Sequence, residues 1–572
     1  MPNLIRVFKN RKRELIYLGV VVLVYFVQKF LSYKTGIYME ECRDANAHLM
    51  ALNGCLPYAD SGCWLYGPFA FCIYPLIFKI FGANLVVLRM SYIIIGSLVI
   101  PLVYFLARRL MVPLWAALAA FLSITLIDVP FYTYNHILAT VAGLCALLFV
   151  IWFIERRATY NLFLAGIFVG ITLLVKPFLM GLGTFSSIVF FLALLKFRKN
   201  LSSIRIKPKH IAAVVFGVVS MLMPFFIYFA IHGGLYKFLA HMTPVGPDRA
   251  SGFYHYSYGP PLSQYWEAVI TAAPYKLLFS PAQWRVILAE SFDSLIRISP
   301  IIFPLGILLL NKFSRRCRSV SKDGRVYFLL FTIFSIFISA QTLFYLQHMS
   351  RSFTAQVPLL LVAYFLFLIN NKKLYSRKDR FIRYAVGIAT IVFIVFLTSL
   401  HFFRYPYSAS KRYVAPLELE RARGIKVTPA EKELYESLNT FLSEHSREDD
   451  PIAILGHCPT LSFLSQRHNI FNGETIIMEL DYLARHAKDS PQDQEKLRKL
   501  EDRLINKLKT EKPKFILEPI MFAAEYAETR LNRYVARTYT LEKTLGPAEI
   551  NIYMPGIVKI YRLKTYHEIL IK

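Results

Sequence analysis

Charge is what this chain has least of. Of its 572 residues only 18% are Asp, Glu, Lys or Arg, against about 25% in soluble domains. Acids are the scarcer sign, 37 against 66 bases. With 55% of the side chains hydrophobic, this excludes intrinsic disorder, which needs low hydrophobicity, and an ordinary soluble protein of the same length. Seven cysteines and 26 glycines are too few for a disulfide scaffold or a collagen-like rod. No Cys/His pair has zinc-finger spacing.

What the chain has instead is a series of apolar runs, many of them near the length of about 20 residues that crosses a bilayer. The fold class that follows is a polytopic α-helical membrane protein. The formal net charge of +29 does not point to nucleic acid, because the basic residues gather in short loops between the apolar runs, as cytoplasmic loops do. "NRKR" precedes a run at 15–31 that is long enough to span and has no small-residue cleavage site after it, so it reads as a first transmembrane helix. Further spans are expected near 86–106, 112–127, 134–154, 160–175, 178–195, 211–231, 297–311, 326–346, 353–370 and 382–402. With these about eleven spans, "LARRL", "KFRKN", "NKFSRRCR" and "NKKLYSRKDRFIR" all fall on the cytoplasmic side. Two long segments, 32–84 and 232–294, then lie outside. Within the first, "PFAFCIYPLIFKIFG" carries Pro75 and Lys79 and reads as an interfacial or re-entrant helix.

The composition changes near Tyr405. Residues 1–404 form the membrane domain and 405–572 an extracytoplasmic α/β domain. "TPAEKELYESLNTFLSEH" has a capping Thr428 with Glu431 three residues on, the signature of a helix start. "QDQEKLRKLEDRLINKLK" is an amphipathic helix, and "PIAILGH", "KFILEPI" and "VKIYRL" read as strands. In "GHCPTLSFLSQRHN" Pro459 marks a strand-to-helix turn.

Chemistry gathers just beyond the first span, in "YMEECRDANAHLMALNGCLPYAD". Glu40, Glu41, Arg43 and Asp44 are four ionisable groups at a membrane boundary. They fit a solvated helix start, where acids favour the N-terminus. They equally fit an acid that serves as general base beside a cation that holds a phosphate. Cys42, Cys55 and Cys63 share this outside segment, where a disulfide is chemically allowed and the pairing is open.

The pattern Glu40-Glu41-x-Arg43-x-Ala45, then Leu52-x-Gly54 and Pro57-Tyr58, resembles the first-loop signature of the C-type glycosyltransferase superfamily, in its protein O-mannosyltransferase and lipid A aminoarabinose transferase branch. "YGPFAF" from Tyr66, "FGANLVVLR" ending at Arg89, "LARRL", "GITLLVKP" with Lys176, and "SRSFTAQVPLLLVAYF" with Arg351 resemble later family segments in the same order. The resemblance is strongest over 15–200. It implies transfer of a sugar from a polyprenyl-phosphate donor to an acceptor outside the cytoplasm, with inversion. The first acid of the signature is the implied base. Here it is Glu40, where the family has Asp, and the extra methylene displaces the carboxylate by about 1 Å, enough to matter for rate. Glu41 is the alternative base.

By the same resemblance Arg43 contacts the donor phosphate, with Asp44, Tyr58 and Tyr66 in the substrate-binding loop. Asp128 in "LIDVPFYTYN" is similar to a second family acid. Lys176 and Arg351 are cations at outside turns suited to a lipid phosphate or a sugar ring. His241, His255 and the Tyr run "GFYHYSYGPP" are candidates for sugar contact. Some relatives use a divalent cation, but His48, Asp60 and Glu267 show no ligand spacing, so no metal site is expected. The acceptor, a lipid, a glycan or a protein, and the sugar are not legible. The expected setting is a bacterial inner membrane. Two other readings are a transporter or flippase of lipid-linked sugar and a non-catalytic scaffold. The first would show internal repeats and mid-membrane charges, which this chain lacks. The second would not need the acid–Arg cluster.

Overall fold

The structure is a computed structural model. It describes residues 2–57, 67–124, 134–197, 204–242, 322–344, 356–369, 411–456, 458–471, 480, 483–484, 491–520, 529–546 and 557–564.

The membrane half is helical. α1 (Pro2–Ser32) is followed by α2 (Met39–Leu52), α3 (Ala70–Phe81), α4 (Leu85–Ser97), α5 (Val99–Ala107), α6 (Pro113–Ile124), α7 (Tyr134–Arg156) and α8 (Thr159–Val175). After a π-helical turn, Pro177–Leu182, come α9 (Gly183–Phe197), α10 (Pro208–Ile231), α11 (Leu235–Met242), α12 (Lys322–Phe344) and α13 (Gln356–Ile369). Among the described residues five stretches are long and apolar enough to cross a membrane: Lys12–Ser32, Leu85–Ala107, His136–Arg156, Met180–Phe197 and Pro208–Ile231. The protein is an integral membrane protein. The spans expected near 297–311 and 382–402 lie outside the described residues.

Local sequence explains the shapes. On α1, Leu15, Ile16, Leu23 and Leu31 are exposed, while Val21, Tyr25, Gln28 and Ser32 are buried, one stripe at helical spacing. From Leu15 to Leu31 the exposed side chains are apolar, as a lipid-facing surface must be. Asn84 caps α4 by accepting from the Val87 N–H at 2.9 Å. The span Leu85–Ala107 breaks between α4 and α5 because Pro101 has no N–H to give the carbonyl four residues back. Gly166 of α8 and Gly217 of α10 face each other. A Cβ on either would strike backbone of the opposite helix, Val214 O in one case and Phe163 O in the other. Small residues at a crossing let membrane helices approach closely. The expected interfacial helix is α3, whose 12 residues reach only about 18 Å, too short to span.

The C-terminal half is α/β. A two-stranded antiparallel ribbon pairs β1 (Ala415–Pro416) with β2 (Lys426–Val427). It leads into α14 (Pro429–His445), β3 (Ile452–Ile454), α15 (Pro459–Leu464), α16 (Pro491–Glu511), β4 (Phe515–Ile520), α17 (Arg530–Thr538), β5 (Tyr539–Leu545) and β6 (Ile557–Leu563). The main sheet has the order β3-β4-β6-β5. β3 and β4 are parallel and the other pairs antiparallel. Thr428 caps α14 as its sequence predicts: its Oγ1 accepts from the Glu431 N–H at 3.2 Å and Glu431 Oε2 accepts from the Thr428 N–H at 2.9 Å.

Two cores stand apart in this half. Ile470, Leu504, Ile516 and Leu531 belong to a core wholly within it. Leu417, Val427, Tyr435, Leu461 and Phe463 instead belong to the same continuous core as Ile37, Cys42, Ala45 and the membrane helices. One continuous core therefore joins the membrane helices to part of this half.

Candidate active site

α2 carries the acid cluster. The chain reaches it through Gly36, held at a φ of +68°, a left-handed conformation that glycine adopts without steric cost. Glu40 stands in the first turn of α2, and its side chain lies outside what the structure describes. Glu41 and Arg89 form a fully buried pair, both at 0% exposure. Arg89 Nε donates to Glu41 Oε1 and Nη2 to Oε2, each at 2.6 Å. The same guanidinium donates to Tyr33 O at 2.7 Å and Gly36 O at 2.6 Å. A planar five-donor fork meets a carboxylate and two carbonyls at once, which an ammonium cannot do. Both oxygens of Glu41 thus brace α2 against α4. The sequence marks Arg89 only through a family segment; its partner 48 positions away has no local signature.

Arg43 and Asp44 come next. Arg43 Nε and Nη2 donate to Asp44 Oδ1 at 3.2 and 3.1 Å, with Asp44 nearly buried and the Arg43 side chain at 12% exposure. One turn further, His48 is buried and stacks near Phe71 and Tyr74, with ring centroids 5.4 and 4.7 Å away. Among the described residues neither ring nitrogen has a hydrogen-bond partner. Burial alone pulls its pKa down to about 3, so it is neutral at physiological pH. Cys42 is buried too, and it does not pair with Cys55; Cys63 lies outside the described residues. Burial, then the adjacent Glu41 carboxylate, push the Cys42 thiol well above its ordinary value.

Residues 67–69 dock on the end of α8. The Gly67 N–H donates to Val175 O at 3.1 Å and the Phe69 N–H to Leu174 O at 3.2 Å. They satisfy carbonyls that a helix C-terminus otherwise leaves orphaned. Gly67 is required there, since a Cβ would strike Leu174 O. Lys176 sits at this junction with φ −140° and ψ 82°, between α8 and the π-helical turn, and is partly exposed. The "YGPF" and "LLVKP" motifs, more than 100 positions apart, are thereby neighbours.

Tyr58, Tyr66, Asp128, His255, Arg351, Asp60 and Glu267 lie outside the described residues, as does the side chain of His241 in α11. Among the described residues no three His, Cys, Asp or Glu side chains converge as a metal set would.

This architecture has known counterparts. Residues 66–228 match the family described as dolichyl-phosphate-mannose-protein mannosyltransferase. The chain superposes on the archaeal oligosaccharyltransferase AglB of Archaeoglobus fulgidus, solved with an inhibitory peptide and a dolichol-phosphate. The TM-score is 0.50 at 14% identity, over 97% of this chain and 75% of that one. The chain thus shares the overall fold of that solved structure. The apo form of the A. fulgidus oligosaccharyltransferase matches this chain with TM-score 0.50 and 13% identity, over 97% and 74% of the two chains. ArnT of Cupriavidus metallidurans, bound to undecaprenyl phosphate, matches with TM-score 0.48 and 12% identity over 96% and 97%. No curated protein sequence matches the chain.

Proposed function

We propose that this protein transfers a sugar from a polyprenyl-phosphate donor to an acceptor hydroxyl on the extracytoplasmic face of the membrane, with Glu40 as general base. The observation that carries the reading is the buried Glu41–Arg89 fork, which fixes the start of an acid-bearing helix. Catalytic geometry of this kind needs a rigid support. With both Glu41 oxygens committed to Arg89, the neighbouring Glu40 is the acid assigned to the proton.

In this reading the acceptor oxygen attacks the anomeric carbon from the face opposite the phosphate. The C–O bond to phosphate breaks as the new glycosidic bond forms, which inverts the centre. Glu40 takes the acceptor proton, and the electron pair leaves with the polyprenyl phosphate. Arg43 and Lys176 offset the negative charge that develops on that leaving group. Asp44, paired with Arg43, orients the guanidinium. Asp128 assists the base or acceptor, and Tyr58, Tyr66, His241, His255 and Arg351 complete the substrate contacts. The transfer step on this reading uses side chains alone, and a divalent cation would be a further ligand of the donor phosphate. The partners are a lipid-linked sugar and a lipid, glycan or protein acceptor, in a bacterial inner membrane with the C-terminal domain outside.

The test is direct. Purified protein in nanodiscs is given radiolabelled polyprenyl-phosphate sugars and an envelope extract as acceptor. Transfer by wild type that collapses in Glu40→Gln supports the reading and identifies the sugar. Equal transfer by both moves the base to Glu41 or Asp128. Donor binding without transfer from any donor favours the flippase or scaffold instead.

A further inference from the structure

The C-terminal domain has no part in the mechanism above, yet it touches the acid-bearing helix on both sides of Glu40. Residues 34–36, which lead from α1 into α2, run beside β2 as an added strand. Thr35 bridges Lys426. The Lys426 N–H donates to Lys34 O at 2.6 Å and the Gly36 N–H to Lys426 O at 2.7 Å. Gly36 O then accepts from Arg89, so one glycine joins the C-terminal ribbon to the Glu41–Arg89 fork. The ring of Tyr413 lies 3.1 Å from where a Cβ on Gly36 would stand.

The second contact is on the body of the helix. α15 packs against α2, and Asn46 Nδ2 donates to Pro459 O at 3.1 Å. Buried Cys42 lies close to Cys458 and Thr460 at the start of α15. α15 is itself braced: Arg421 Nη1 donates to Phe463 O at 2.7 Å, and its guanidinium lies 5.3 Å from the Phe463 ring. Glu40 therefore lies between two grips, one at 34–36 and one at 42–46, both supplied by chain about 400 positions later. A helix held at one point can tilt or slide. Held at two, it has one position, and a displacement of about 1 Å in a reacting group can lower a rate by about 100-fold.

We propose that the C-terminal domain is a positioning element of the catalytic helix, and that Asn46, through Pro459, is the positioning residue that sets where Glu40 stands. The inference rests on the glycosyl-transfer reading above. It assigns to the soluble half a kinetic task in the transfer step, in place of passive attachment.

The experiment uses full-length protein in nanodiscs and two readouts. One is transfer kinetics with the donor identified above. The other is alkylation of Cys42 by a maleimide, resolved by peptide mass spectrometry, which reports whether the junction is closed without needing any substrate. Asn46→Asp sets a carboxylate against the Pro459 carbonyl and opens the grip. The expected result is a fall in kcat of about tenfold or more, a donor KM within about twofold of wild type, and faster Cys42 alkylation. Asn46→Gln keeps the amide donor and restores both readouts. Lys426→Pro removes the N–H that reaches Lys34 O and reproduces the kcat loss from the other grip. Asn46→Ala replaces Asn46→Asp if the latter fails to accumulate. Fast Cys42 alkylation with kcat unchanged in these variants overturns the proposal while leaving the glycosyl-transfer reading intact. Wild-type protein that transfers no sugar overturns that reading, and the positioning role falls with it.

Discussion

The Glu41–Arg89 fork is the feature whose removal has the most calculable cost. Both partners are fully buried, and four hydrogen bonds of 2.6–2.7 Å converge on one guanidinium. Glu41→Gln leaves a buried cation with two carbonyl partners and no counter-charge. Breaking a buried pair from one side costs about 3–5 kcal/mol. Arg89→Met costs a similar amount, since it strands the carboxylate and also leaves Tyr33 O and Gly36 O without their donor, at roughly 1–3 kcal/mol for each unsatisfied group. The double variant has no unpaired charge, so its loss is smaller than the sum of the singles by more than about 2 kcal/mol. A double-mutant cycle by urea titration of detergent-solubilised protein, followed by tryptophan fluorescence, measures this coupling. Arg89→Lys is expected to behave like Arg89→Met, because a single ammonium cannot span the carboxylate and both carbonyls. Additive losses within about 0.5 kcal/mol, or a wild-type-like Arg89→Lys, would refute the reasoning.

Other outcomes follow from the same coordinates. His48 is held at about 3 by burial, while in the unfolded chain it titrates near its ordinary 6.5. Between these values only the unfolded chain takes the proton, so stability falls as pH drops from about 6.5 to about 3, by roughly 5 kcal/mol at about 1.4 kcal/mol per unit; His48→Phe flattens that slope in pH-dependent urea titrations. Gly67→Ala forces residues 67–69 off the end of α8, and protease accessibility of that loop should rise while α8 itself stays folded. Gly217→Leu separates α8 from α10 and lowers the thermal midpoint measured in detergent, whereas a substitution at the lipid-facing Phe216, 64% exposed, leaves it within error. Thr428→Ala removes the α14 cap and costs about 1 kcal/mol in the same urea assay.

Much of this was legible in the residues. Apolar runs mark spans because a bilayer offers no partner for backbone groups, so length and hydropathy alone identify α1, α7 and α10. Thr428 and Glu431 announce the start of α14, and Pro459 the start of α15, because caps and prolines act within one turn. The order of the family-like motifs placed the acid cluster at the end of the first span. Where sequence falls short, the reason is separation along the chain. Glu41 and Arg89, Gly67 and Val175, Asn46 and Pro459 are pairs with no shared period, so neither member signals the other. The two-residue strands β1 and β2 are too short for any alternation to show, yet β2 grips residues 34–36.

The sequence by itself determined the membrane setting, the spans at α1, α7 and α10 and the residue types of the acid cluster, since these depend on hydropathy and on local backbone chemistry. Only the tertiary structure decided which acid is committed to a buried arginine, which glycines allow close approach, and that the C-terminal domain grips the acid-bearing helix on both sides of Glu40. Those outcomes depend on which distant groups share one desolvated volume, where an unpaired charge or carbonyl is costly and each must find its partner.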